Sequence, residues 1–67
     1  MSGRALTPPQ RQALRQLSRA YGDPVDGKGR KVTFQSLTRR KLAVELGDDL
    51  YRVSLRGLLV VRGELLP

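Results

Sequence analysis

Neither cysteine nor histidine occurs in this chain of 67 residues. That double absence removes disulfide staples, thiolate nucleophiles, the commonest general base and the usual zinc ligands together. No disulfide framework or zinc-finger site is then available to hold the fold. Hydrophobic residues make up 39% of the sequence, enough for one thin core. Ordering a chain this long costs on the order of 100 kcal/mol in conformational entropy, so a domain of this size is marginal by itself. A homodimer that shares apolar surface would relieve that, and one is expected. The longest apolar run, Leu58-Leu59-Val60-Val61, falls far short of the ~20 residues that cross a bilayer. The opening Met-Ser-Gly-Arg has no apolar signal-peptide segment. A cytoplasmic protein is therefore expected, with no cofactor, metal, membrane partner or small-molecule substrate.

Charge narrows the function further. Thirteen Lys and Arg stand against six Asp and Glu, a net charge of +7, and the first acid is Asp23. A small domain this basic repels itself, which points to a polyanionic partner. Nucleic acid is the leading expectation. An acidic protein surface and mere solubility are the competing explanations. A membrane surface fits poorly, because no Trp or Phe backs the arginines at helical spacing.

Local signals divide the chain into a basic arm (residues 1–6), a single domain (7–63) and an apolar tail (64–67). Thr7 can cap a helix with Pro8 in its first turn, and Gly22 and Pro24 end it near Tyr21. Ala13, Leu14, Leu17, Ala20 and Tyr21 would face inward. Arg11, Arg15 and Arg19 recur every fourth residue on the opposite face, as phosphate contacts or as a solvated stripe. Residues 22–31 read as a loop that ends in Lys28, Arg30 and Lys31. Gly22 and Gly27-Lys28 match part of a phosphate-binding loop, but Gly29 stands where its hydroxyl residue belongs and no strand precedes it. Nucleotide binding is not expected.

Residues 34–41 favour a short helix capped by Thr33, although Val32, Phe34 and Ser36 also alternate as a strand does. As a helix, it turns Phe34 and Leu37 inward and puts Gln35, Ser36, Arg39 and Arg40 on one outer arc. Arg can fork onto guanine, Gln onto adenine, and Ser onto either. Residues 42–55 then alternate on both sides of Gly47-Asp48-Asp49, which predicts a hairpin pairing Val44 with Val53, Leu46 with Tyr51 and Glu45 with Arg52. Ser54 can cap a last helix with Leu55, Leu58 and Leu59 inward, ending at Gly63. The rival is a third strand over residues 58–61.

This order of parts resembles the winged helix-turn-helix DNA-binding domains of MarR-like bacterial regulators. In that family a recognition helix ends in a pattern like Leu-x-x-Arg-Gly-Leu-Val, a β-hairpin wing follows, and Thr-x-x-Gly opens the next helix. Leu37-Thr38-Arg39-Arg40-Lys41-Leu42-Ala43-Val44 and Ser54-Leu55-Arg56-Gly57 are similar to these, with Lys41 in place of the family's Gly. The helix that should precede the reader has too few residues here. The resemblance covers residues 7–63. It implies an α+β winged-helix-like domain that binds specific duplex DNA as a dimer, with Gln35, Ser36, Arg39 and Arg40 reading the groove. Lys41, Lys28, Arg30, Lys31, Arg11, Arg15 and Arg19 complete the expected contact set. The alternative fold is one or two helices with a three-stranded antiparallel meander.

A transcriptional regulator or a phage or plasmid accessory factor fits this reading best. Two alternatives are RNA or ribosome binding, and a small protein-binding inhibitor that docks through Leu65-Leu66. Single-strand readers stack bases on exposed rings, and Tyr21, Phe34 and Tyr51 are all expected inside. An enzyme is not expected, because none of the carboxylates has a base, a nucleophile and a pocket beside it.

Overall fold

The first helix, α1 (Pro8–Ala20), begins where its capping signals put it. The Thr7 hydroxyl accepts from the Gln10 N–H, and the Gln10 side chain returns a bond to the Thr7 N–H at 3.0 Å. This reciprocal pair satisfies two amide groups that a helix start leaves unbonded. The computed structural model describes residues 5–67, so most of the expected basic arm lies outside the described residues. Leu6, the last residue of that arm, packs against the core. After α1 come β1 (Val25–Asp26), α2 (Lys31–Arg39), β2 (Ala43–Gly47), β3 (Leu50–Val53) and α3 (Leu55–Val61). The protein is thus α+β, with three helices and one antiparallel sheet in the order β1-β3-β2.

That topology corrects two readings. Residues 22–31 are not all loop, because β1 pairs with β3 through Val25–Tyr51 and Asp26–Leu50. The third strand is therefore β1, and residues 58–61 lie in α3. Two paired residues leave no periodic signature, and only their distant partner identifies them. The hairpin register also differs by one residue. Ala43 pairs with Val53, Val44 with Arg52 and Glu45 with Tyr51, and an irregularity then brings Gly47 opposite Leu50. Leu46 is the extra residue and is 46% exposed. Asp48 and Asp49, at φ 54° and 61°, form a two-residue turn of the mirror-image kind that suits a twisted hairpin.

The core comprises Ala13, Leu14 and Leu17 of α1, Phe34 and Leu37 of α2, and Leu42, Ala43, Tyr51 and Val53 of the sheet region. Phe34 and Tyr51 stack with ring centroids 5.1 Å apart and planes inclined at 18°. Gly27 lies against both rings; a Cβ there would come within 2.7 Å of Tyr51 Cε1. In α3 the buried residue is Gly57, where a Cβ would run into the Leu42 carbonyl oxygen. Its absence lets the helix settle on the sheet, while the Ser54 hydroxyl accepts from the Gly57 N–H. Leu55, expected inside, is 74% exposed.

Two further corrections bear on function. α2 starts at Lys31, three residues earlier than expected, and its cap is the Arg30 backbone without any side-chain bond. The Thr33 side chain therefore caps nothing. Tyr21 follows α1 in a left-handed conformation at φ 59°, which swings its ring outward to 84% exposure.

Candidate nucleic-acid interface

α1 and α2 pack side by side in opposite directions. Gln10, near the start of α1, donates from Nε2 to Ser36 Oγ at 2.9 Å and accepts at Oε1 from Arg40 Nη1 at 3.3 Å. At the other end of the pair, Gln16 Oε1 accepts from Arg30 Nη2. These bonds split the expected reading arc. Ser36 also donates to the Thr33 carbonyl at 2.7 Å, so its hydroxyl is committed to the seam between the helices. Arg40 lies one residue beyond α2 and its side chain turns into the same seam. Gln35 is half-buried, and its amide interacts with the Tyr51 hydroxyl. Arg39 alone of the four is exposed.

The earlier start of α2 brings in a residue that sequence reasoning passed over. Val32 is 81% exposed. Val32, Gln35 and Arg39 fall at i, i+3 and i+7, one continuous ridge of the helix surface. The spacing was visible in the sequence, but Val32 lay outside the helix as expected there. Gln10 was missed in the same way: it occupies the third helical position after Thr7, the place of a capping-box residue.

The cations separate into groups. Lys28, Arg30 and Lys31 cluster at the N-terminal end of α2, where no acidic residue lies in the first turn. Arg30 is engaged, with its guanidinium carbon 5.0 Å from the Phe34 ring centroid. Lys31 makes a loose ion pair with Asp49 at 3.7 Å. The Lys28 N–H donates to Asp26 Oδ1 at 2.8 Å, which fixes the turn and leaves the ammonium without a partner among the described residues. Arg39 and Lys41 stand at the other end of α2. On α1, Arg11 and Arg15 line a groove against α3, whereas Arg19 sits in the last turn. The expected eleven-residue set is therefore not a single surface.

Lys41 takes a left-handed conformation at φ 66°, and two bonds hold it there: its N–H to Thr38 O at 3.0 Å and Leu42 N–H to Leu37 O at 2.9 Å. This is the Schellman closure that glycine usually occupies. Burial pushes the Tyr51 phenol pKa above its usual 10.0, with the Glu45 and Asp49 carboxylates adding to the shift and Gln35 opposing it. No group of three or more metal-ligating side chains occurs among the described residues. Comparison with protein-family models, with curated proteins and with solved structures finds no match for this chain.

Proposed function

We propose that the chain binds double-stranded nucleic acid, with α2 laid against a groove and the basic residues at both of its ends gripping phosphates. The observation that supports this reading is the composition of the two packed helices: α1 and α2 contain Arg11, Arg15, Arg19, Lys31 and Arg39 and no acid. From Gly27 to Val44 there are six cations and, again, no Asp or Glu. The ridge Val32-Gln35-Arg39 presents one apolar group and one guanidinium outward, suited to a thymine methyl and a guanine edge, with the half-buried Gln35 between them. Helix, helix, hairpin and helix in this order are compatible with a small winged-helix-like fold. DNA is the favoured duplex, and sequence-specific binding by a small regulator or accessory factor is the fuller form of the proposal.

One observation favours a second reading. The exposed Tyr21 ring offers a stacking platform for an unpaired base, the chemistry of single-strand and RNA binders. A salt titration with matched ligands separates the readings. Six neutralised phosphates on a duplex give log K against log[salt] a slope of about −5. Duplex DNA should compete at least as well as single strands or structured RNA, and Tyr21→Ala should leave duplex affinity within about twofold. A flat salt response removes the polyanion reading. A preference for single strands that disappears in Tyr21→Ala transfers the proposal to the second reading.

A further inference from the structure

We propose that the groove between α1 and α3 is one half of a two-fold interface, and that its occupant is Leu66 of a second copy of this chain. The groove encloses about 270 Å³. Its apolar floor is formed by Leu6, Leu14 and Val60, and its wall by Arg11 and Arg15, one turn apart on α1. Neither guanidinium has a hydrogen-bond or ion-pair partner among the described residues. The site thus asks for an apolar group followed or preceded by an acid.

The chain itself carries that complement, beside the groove. Pro67 lines the groove, and Leu66, next to it, is 87% exposed. Glu64, two residues back, keeps its carboxylate half-exposed while pairing with Arg62 at 3.0 Å. Val61, at the rim, is 39% exposed. A knob and a hole on one continuous patch are what a two-fold contact requires, since each copy then fills the other with the same residues. Glu64 of one copy supplies the negative charge that Arg11 and Arg15 of the other lack. The contact also covers apolar surface that a domain this small is poorly able to leave in water. Arg11 and Arg15 are thereby assigned to assembly rather than to phosphates, and the nucleic-acid reading then rests on Arg19 and on the six cations between Gly27 and Val44.

Sedimentation equilibrium over about 5 to 500 μM tests it, and a reversible monomer–dimer equilibrium with Kd on the order of 10 μM is expected. Leu66→Asp should raise that Kd at least about tenfold, with the circular dichroism and thermal unfolding of the dilute monomer unchanged. Reversing the wall in an Arg11→Glu, Arg15→Glu double variant should weaken the dimer similarly, and adding Glu64→Arg should restore it to within about threefold. A monomer at every concentration overturns the proposal. So does a dimer indifferent to Leu66→Asp, or a charge reversal that the third substitution does not rescue.

Discussion

The α1–α2 helix pair and the β2–β3 hairpin differ in the sign of the charge they present. The two helices carry five cations and no acid. The hairpin, from Ala43 to Val53, carries Glu45, Asp48 and Asp49 against the single cation Arg52. The net charge of +7 is thus segregated rather than spread. A surface that serves only solubility intersperses both signs, whereas segregation builds a field that one class of partner can use. In the proposed complex the acidic tip would repel the phosphates held by the cations around α2, so the hairpin would serve as a prop for α2 more than as a second contact. Two of the links between these regions contrast with each other. The Lys31–Asp49 ion pair is loose and exposed, a kind that contributes ~0–1 kcal/mol. The Phe34–Tyr51 stack is buried within the shared core and contributes far more to the coupling.

Cutting the stack is the most severe way to break the comparison. Phe34→Ala should destabilise the fold by about 3–5 kcal/mol, because a fully buried ring leaves a cavity beneath Arg30 and beside Gly27. In so small a domain that is most of the available stability, and urea unfolding should show a largely unfolded chain. A loss below about 1 kcal/mol would mean that something other than the ring pair holds helix to hairpin.

The charge contrast is sharpened by paired truncations. Arg39→Ala, on the helix pair, should weaken a preferred duplex site by about 1–3 kcal/mol and relax sequence preference at the contacted base. Asp48→Ala, at the hairpin tip, should leave duplex affinity unchanged or slightly improved. The check is a binding isotherm for each variant on specific and on random duplex at one fixed salt concentration. Equal losses on both duplexes would reduce Arg39 to a phosphate contact. A loss from Asp48→Ala would place the hairpin tip on the ligand.

What the sequence disclosed depended on the range of the forces involved. The start of α1 was legible because Thr7, Pro8 and Gln10 act within a single turn, and the start of α3 because Ser54 caps its own helix. The hairpin was legible as a pattern, but its register was not. The extra residue Leu46 shifts the pairing, and that depends on how the Asp48–Asp49 turn meets the sheet. β1 was hidden because two residues become a strand only by pairing with β3. The candidate site was less legible still. Ser36 and Arg40 satisfied every local criterion for an outer arc, and Gln10, 26 and 30 positions away, claimed both. Tyr21 fits the inward face of α1 by periodicity, yet one left-handed backbone angle turns it out.

The joint between the two regions can be strengthened as well as cut. Lys41 links α2 to β2 in a left-handed conformation that costs a side-chain-bearing residue about 1 kcal/mol. Lys41→Gly relieves that strain, and the greater freedom of glycine in the unfolded chain offsets part of the gain. Net stabilisation of about 0.5 kcal/mol is expected, read as a higher thermal midpoint, together with a small loss of duplex affinity if Lys41 contacts phosphate. Destabilisation would mean that the lysine stem packs productively where it stands.

The smallest effect comes from one hydroxyl. Tyr51 is buried, its oxygen has no hydrogen bond of ordinary geometry, and the hairpin carboxylates Glu45 and Asp49 disfavour its ionisation together with burial. Its folded pKa therefore lies above the unfolded value of 10.0. Below that unfolded value both states hold the proton and the phenol does not make stability depend on pH. As pH rises past it, the unfolded chain releases the proton first, and the stability contributed by the protonated phenol is lost up to the raised folded value. Tyr51→Phe should change stability at pH 7 by less than about 0.5 kcal/mol, because a poorly satisfied hydroxyl contributes little. At pH 11 the variant should lose less stability than the parent chain. Comparing denaturant unfolding of the two chains at both pH values cancels the titration of every lysine they share. An identical loss in both would show that the hairpin carboxylates and the burial of the ring do not act on Tyr51, and that the acidic region exerts no influence on the core beneath it.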